Sequence, residues 1–160
     1  MNQKEVSKWL KGITILTGIA GLVFFLLVMP FLAFDVAGVY PEVAYLKWLG
    51  IIYGWGIGIM CYAILFQFWK VCAEIGRDNS FSAENARAFK MISRFSVFTA
   101  GLWFAGILFL SMIVHALGPA YGFFMLLLAF AFIVLAVLSA ALSHLVYKSY
   151  EMRKENDLTI

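Results

Sequence analysis

The sequence predicts an all-α polytopic membrane protein, with four transmembrane helices in an antiparallel bundle. Hydrophobic residues make up 64% of the 160 residues and charged residues only 13%, whereas soluble domains carry about 25% charged residues. Uncharged stretches of 23 residues after Lys11 and 22 residues after Lys47 are long enough to cross a bilayer, which takes about 20 apolar helical residues. The stretch from Phe95 to Tyr147 contains no Asp, Glu, Lys or Arg and has room for two further spans.

The basic residues predict the orientation of these spans. Eleven of the twelve Lys and Arg residues fall in three clusters on one predicted side of the membrane: Lys4, Lys8 and Lys11; Lys70, Arg77, Arg87, Lys90 and Arg94; Lys148, Arg153 and Lys154. Only Lys47 lies on the predicted outer side. Because basic residues concentrate in cytoplasmic segments, we expect a multi-pass protein of the cell inner (cytoplasmic) membrane with both termini in the cytoplasm.

Local signals indicate a single membrane domain, residues 1–160. Its spans are expected at about 9–34, 47–71, 93–117 and 121–147, with a cytoplasmic loop at 72–92 and a cytoplasmic tail at 148–160. Pro41 suits the first turn of the second helix, where its missing N–H does no harm. Ser82 is a suitable N-cap for the third helix, and Glu84 then lies in the first turn, where the helix dipole favours negative charge.

The second span carries Gly50, Gly54 and Gly58 on one face. Small residues allow close approach of helix backbones in lipid, where the hydrophobic effect does not drive helices together. We therefore expect helix packing within the protein at this face. A homodimer seam and a ligand cleft are the alternatives.

The sequence offers little for catalysis or cofactor binding. No span contains an Asp or Glu of the kind that proton-coupled transport uses, and no nucleophile, phosphate-loop or zinc-protease motif is present. His115 and His144 are expected about 30 Å apart, at opposite membrane surfaces, and the two cysteines are too far apart along one helix to form a disulfide. We expect no enzyme activity, no cofactor and no metal.

The net charge of +3 comes from residues at one predicted surface, so it favours anionic membrane lipids over direct nucleic acid binding. Arg87, Lys90 and Arg94 are expected to contact lipid headgroups.

Two polar segments carry the most specific pattern in the chain. The cytoplasmic loop reads Gly-x-x-x-Ser-Phe-Ser-x-x-Asn (Gly76, Ser80, Phe81, Ser82 and Asn85), and the chain ends in Asp157, Leu158, Thr159 and Ile160. Together they resemble a bacterial four-helix membrane family catalogued as domain of unknown function 2975. Members of that family are often encoded beside a small helix-turn-helix regulator. The resemblance therefore implies a membrane component of a regulatory or immunity-like pair, and it implies no catalytic residues.

These observations favour a non-enzymatic membrane protein whose inner loop and C-terminal tail engage a cytoplasmic protein partner, such as a small helix-turn-helix regulator. The residues of both segments named above are the expected contacts. We also expect the tail to fold back, so that Asp157 or the terminal carboxylate reaches the start of the third helix, whose free N–H groups attract anions; a frayed, solvated tail is the alternative. Two other functions are a small-molecule or lipid binding or transport module near Trp55 or Trp103, and a structural subunit of a membrane complex.

Overall fold

The computed structural model describes residues 2–113 and 119–158, with side chains for 2–112 and 122–156. Within those ranges every regular element is a helix. In chain order the elements are α1 (Gln3–Val23), a π-helical turn (Phe24–Val28), α2 (Met29–Val39), a 3-10 turn (Pro41–Leu46), α3 (Lys47–Gly76), α4 (Ala83–Ile113) and α5 (Pro119–Leu158).

Four helical stretches in the described part of the chain are long and apolar enough to cross a membrane: Gln3–Val39, Pro41–Gly76, Ala83–Met112 and Gly122–Asn156. The first joins α1, the π turn and α2 into one rod of 37 residues, about 55 Å long at 1.5 Å per residue. The prediction of an all-α protein with four membrane-spanning helices is confirmed.

The helices pack in the order of the chain. The first rod lies against α3, α3 against α4, and α4 against α5, which is the most extensive contact. This arrangement leaves most of the apolar surface exposed, and large side chains in mid-helix such as Phe98 and Leu145 are 57% and 60% exposed. Such a surface is suited to lipid, because an apolar side chain loses nothing there by facing outward.

Glycines bring α3 close to the first rod. A Cβ added at Gly54 would collide with Met29 Cε, and one added at Gly58 would lie 3.0 Å from the ring of Phe25. At Gly50, by contrast, no described atom lies within 4 Å of an added Cβ. Two of the three predicted packing glycines therefore meet the first rod, and the third lies at an open part of α3.

A π-helical turn interrupts the first rod near Pro30. Within the turn, the Met29 N–H bonds to the Phe24 carbonyl five residues back. In the same pattern, the next carbonyl, that of Phe25, would accept a hydrogen bond from the N–H of residue 30. Residue 30 is a proline and has no N–H. The indole Nε1 of Trp55 on α3 donates to the Phe25 carbonyl instead, at 3.0 Å. One side chain of α3 thus satisfies a carbonyl left open by the proline.

Small side chains make up much of the buried surface of α4 and α5. Several of them are almost fully buried, namely Ser96, Thr99, Ala100, Ala129, Ala136 and Ser139. Thr99 turns its hydroxyl back to the Phe95 carbonyl of its own helix, at 2.8 Å, and Ser143 on α5 donates to the Ala86 carbonyl on α4, at 2.7 Å. Small residues of this kind let two helix backbones approach closely in a membrane.

The element boundaries differ from the predicted ones mainly at the polar segments. A 3-10 turn begins at Pro41 and α4 begins directly after Ser82, as predicted. Helix α3, however, continues to Gly76, so that residues 77–82 alone connect α3 to α4, and residues 72–76 of the predicted loop 72–92 belong to α3. The predicted tail 148–160 is helical as far as Leu158, because α5 continues past its apolar part without a break.

Candidate functional site

The connection after α3 is held by backbone and side-chain hydrogen bonds. Asp78 has a positive φ of 62°, and the N–H groups of Asp78 and Asn79 bond to the carbonyls of Ile75 and Glu74. This is the Schellman arrangement, in which a residue in the left-handed region closes a helix. Glycine is the usual residue there, but Asp also tolerates this conformation. The turn therefore ends α3 at a defined point.

Glu74 fixes the same turn through its side chain. Its carboxylate accepts from Arg77 Nη1 at 3.0 Å and from Asn79 Nδ2 at 2.9 Å. One carboxylate thus bonds to two residues of the connection. Side-chain as well as backbone hydrogen bonds therefore connect this segment to α3.

The Ser-Phe-Ser-x-x-Asn motif forms the second half of the connection. Ser82 caps α4 by accepting the Asn85 N–H at 3.1 Å, which satisfies one of the free donors of the helix start. The Asn85 side chain donates through Nδ2 to the Ser80 carbonyl at 2.9 Å, and Ser80 Oγ donates to Gln3 Oε1 of α1 at 3.1 Å. The polar residues of the motif therefore bind one another and α1.

Phe81 is the motif residue that faces outward. Its side chain is 53% exposed, although the residues on both sides of it are held by the hydrogen bonds just described. An exposed aromatic ring on an ordered segment is the usual form of an anchor in protein interfaces, since little freedom is lost when it becomes buried.

Three parts of the chain meet around Phe81. The start of α1, the connection and the last turns of α5 enclose an open groove of about 560 Å³, lined by Gln3, Asp78, Ser80, Phe81, Ser149, Met152, Arg153 and Asn156. We call this the docking groove, and we call the end of the molecule that carries it the basic pole. The docking groove contains one guanidinium, that of Arg153, and one carboxylate, that of Asp78. Its apolar surface comes from Phe81 and Met152.

Gly76, the first residue of the loop motif, lies in a helix and not in the connection. It is the last residue of α3, and among the described glycines none has a positive φ. A Cβ at this position would lie 2.7 Å from Ser7 Oγ, and that hydroxyl donates to the Cys72 carbonyl at 2.6 Å. Gly76 thus lets α1 approach α3 at the basic pole.

Arg87, Lys90 and Arg94 lie on one exposed face of α4, opposite the buried residue Ile92. Three positive side chains spaced by three and four residues share one side of a helix. Their position allows contact with headgroups, and their assignment to lipid stays a prediction.

The predicted reversal of the chain after the fourth span does not occur before Leu158, since α5 is one continuous helix to that residue. Outside the described part of the chain lie the side chains of Asp157 and Leu158 and all of Thr159, Ile160 and His115.

Sequence reasoning missed the parts of α1 and α5 that line the docking groove. On α5, Ser149, Met152, Arg153 and Asn156 follow one another at intervals of three, one and three residues, which places them on one helical face. That spacing would have identified them if the helical period had been continued past Tyr147. Gln3 carries no comparable signal, because its place in the groove depends on how α1 packs.

Comparison with known proteins agrees with this architecture. The fold defines a multi-span helical membrane protein with a structured polar connection at one pole. The family model described as protein of unknown function (DUF2975) matches residues 31–160, and the chain belongs to that family. A relative described as uncharacterized membrane protein YoaS, from Bacillus subtilis (strain 168), is 30% identical over 154 residues, which cover 95% of this chain and 96% of the relative. No solved structure matches the chain significantly.

Proposed function

We propose that this protein is a non-enzymatic component of the cytoplasmic membrane that docks a cytoplasmic protein at its basic pole. The observation that carries the proposal is the docking groove itself. It combines an exposed aromatic anchor, Phe81, with a polar helical face on α5, and hydrogen bonds order the segment that carries Phe81. A pre-ordered surface loses less conformational entropy on binding than a flexible one.

The distribution of charge supports the cytoplasmic placement of this pole. The three basic clusters lie near the start of α1, around the connection and along the end of α5, and these segments meet at the groove. Positive residues concentrate on the cytoplasmic side of membrane proteins. In this orientation Phe81 and Met152 are available to a soluble protein, and the family resemblance favours a small helix-turn-helix regulator as that protein.

Contacts within the spans give less support to a transport or ligand-binding function. The glycine face of α3 is occupied by Met29 and Phe25 of the first rod at Gly54 and Gly58. The carbonyl that the proline leaves open is bonded to Trp55. The glycine face of α3 and the Trp55 indole are therefore engaged in helix packing.

Site-specific photo-crosslinking in living cells tests the proposal. A photoreactive benzoylphenylalanine at position 81 is expected to form an adduct with one cytoplasmic protein. Position 98 is the matched control, because Phe98 has a similar exposed fraction of 57% but lies within a span, where lipid surrounds it. The captured protein is then purified and mixed with the membrane protein in nanodiscs, and a defined complex is expected.

The proposal would be contradicted if position 81 gave no protein adduct, or if positions 81 and 98 captured the same protein with equal yield. It would also fail if the captured protein, once purified, did not form a complex.

A further inference from the structure

A second, open pocket lies next to the docking groove, where α1, the end of α3 and the start of α4 converge. Its volume is about 260 Å³, and its lining residues are Gln3, Val6, Val71, Ile75, Ser80, Asn85 and Phe89. Gln3 and Ser80 also line the docking groove, so the two spaces adjoin. We call this space the Asn85 cavity.

Asn85 is the unusual residue in the lining. Only 1% of its surface is exposed, and its Nδ2 donates to the Ser80 carbonyl. Its Oδ1 is buried and has no hydrogen-bond partner among the described residues. Exchanging the two amide atoms would place Oδ1 against the Ser80 carbonyl oxygen, so the hydrogen bond fixes the orientation of the amide. A buried acceptor without a donor destabilises a folded protein.

The remaining walls define which group would suit this acceptor. Val6, Val71, Ile75 and Phe89 are apolar, so a charged ligand would lose its hydration without compensation. An anion is disfavoured further, because Oδ1 is an acceptor and carries partial negative charge. An aliphatic group would fill the space but leave Oδ1 without a donor. An indole meets both requirements, since it is apolar, flat and carries one N–H donor without a competing acceptor.

We propose that the Asn85 cavity receives a tryptophan side chain of the docked partner, whose indole N–H donates to Asn85 Oδ1. This inference rests on the proposed function. Tryptophan is enriched among the residues that dominate interface affinity, and these residues insert into pockets near the centre of an interface. When buried, the indole N–H usually has a hydrogen-bond acceptor. The cavity lies beside the anchor Phe81, in the position such a pocket would occupy.

The test uses two probes and the full-length protein in nanodiscs. N-acetyl-tryptophanamide is titrated by calorimetry and compared with its 1-methylindole analogue, which has the same aromatic rings but no N–H. We expect saturable binding of the first compound and about tenfold weaker binding of the second, as for the loss of one hydrogen bond to a buried group. Empty nanodiscs correct for partitioning into lipid.

Two variants connect the binding to the cavity. Val6→Trp should fill the space and abolish binding, whereas Ile13→Trp, on the same helix at a position that is 56% exposed, should leave it unchanged. Asn85→Leu should bind both probes equally, because the acceptor that distinguishes them is gone. If Asn85 served only the fold, Asn85→Leu would leave the difference in affinity between the two probes unchanged.

The inference is overturned if the folded wild-type protein binds neither probe, or if both probes bind equally well. In either case a protein adduct at position 81 would leave the proposed function standing. If the probes bind as expected but position 81 captures no protein, the proposed function fails, and with it the assignment of the indole to a partner.

Discussion

At the scale of single residues, the loop motif is a set of hydrogen bonds that leaves one aromatic ring outside. Ser80, Ser82 and Asn85 bond to α1, to the start of α4 and to each other. Phe81 takes no part in these bonds and is 53% exposed. The polar residues of the motif therefore order the backbone, and Phe81 is the residue of the motif that we propose contacts a partner.

The glycines of α3 give the first prediction at this scale. Gly58→Ala should lower the free energy of unfolding by about 1–3 kcal/mol, the usual cost of overpacking, because the added methyl would press on the ring of Phe25. That ring has little room to move, since it also packs edge-on against Phe24 with 5.3 Å between centroids. Unfolding in detergent, followed by circular dichroism, measures the change.

Gly50→Ala is the matched control, because Gly50 lies eight residues before Gly58 on the same helix and no described atom lies within 4 Å of an added Cβ there. It should be neutral or stabilise α3 by up to about 1 kcal/mol, the difference in helix propensity between the two residues. Equal destabilisation by both substitutions would show that the packing described for Gly58 is not specific.

At the scale of elements, the first rod depends on α3 for one of its own backbone hydrogen bonds. A carbonyl without a donor is costly in a bilayer, where water is absent. The bond from Trp55 to the Phe25 carbonyl removes that cost, and the T-shaped contact of Phe34 with Trp48, at 5.8 Å between centroids, joins the two elements further along. Together with the glycine contacts, these interactions make the rod and α3 one packing unit.

Trp55→Phe tests this dependence, since it keeps an aromatic ring but removes the donor. We expect a loss of about 1–2 kcal/mol in the free energy of unfolding, within the range measured for interhelical hydrogen bonds in membranes. In a Pro30→Ala background the same substitution should cost less, because residue 30 then has an N–H of its own for a nearby carbonyl. A double-mutant cycle gives the coupling energy.

A coupling energy of zero would mean that Trp55 and Pro30 act independently, and it would contradict the hydrogen-bond exchange described for the π turn.

The elements also show what could be predicted from sequence. The four spans followed from long uncharged stretches, and the start of α4 from Ser82, because both signals are local. The π turn could not be predicted from local signals, because it depends on a hydrogen-bond donor from another helix. The continuation of α5 to Leu158 was missed because residues 148–158 are polar, and polar composition at a chain end was interpreted as a tail although it equally suits an exposed helix. The docking groove requires three distant segments to meet, which no local pattern specifies.

At the scale of the whole molecule, the structure separates an apolar body from a polar pole. The hydrogen bond from Ser80 to Gln3 and the residues lining the docking groove show that the start of α1, the connection and the end of α5 lie at the same end of the molecule. Whichever way the protein inserts, these three segments share one side of the membrane. From the charge distribution we propose that this is the cytoplasmic side.

Reporter fusions check this orientation. Green fluorescent protein fused after Ile160 should fluoresce, and alkaline phosphatase at the same place should be inactive, because the phosphatase matures only outside the cytoplasm. Alkaline phosphatase inserted after Tyr40, at the end of the first rod, should be active. The opposite pattern would place the docking groove outside the cell and exclude a cytoplasmic partner.

The most direct test of docking is the affinity of the captured partner for variants from both sides of the groove. Phe81→Asp, in the connection, and Met152→Asp, on α5, should each raise the Kd at least about 30-fold, as expected for residues worth 2 kcal/mol or more. Trp9→Ala should leave the Kd unchanged, because Trp9 is 70% exposed but does not line the groove. Wild-type affinity in both groove variants would contradict a docking surface shared by the connection and α5.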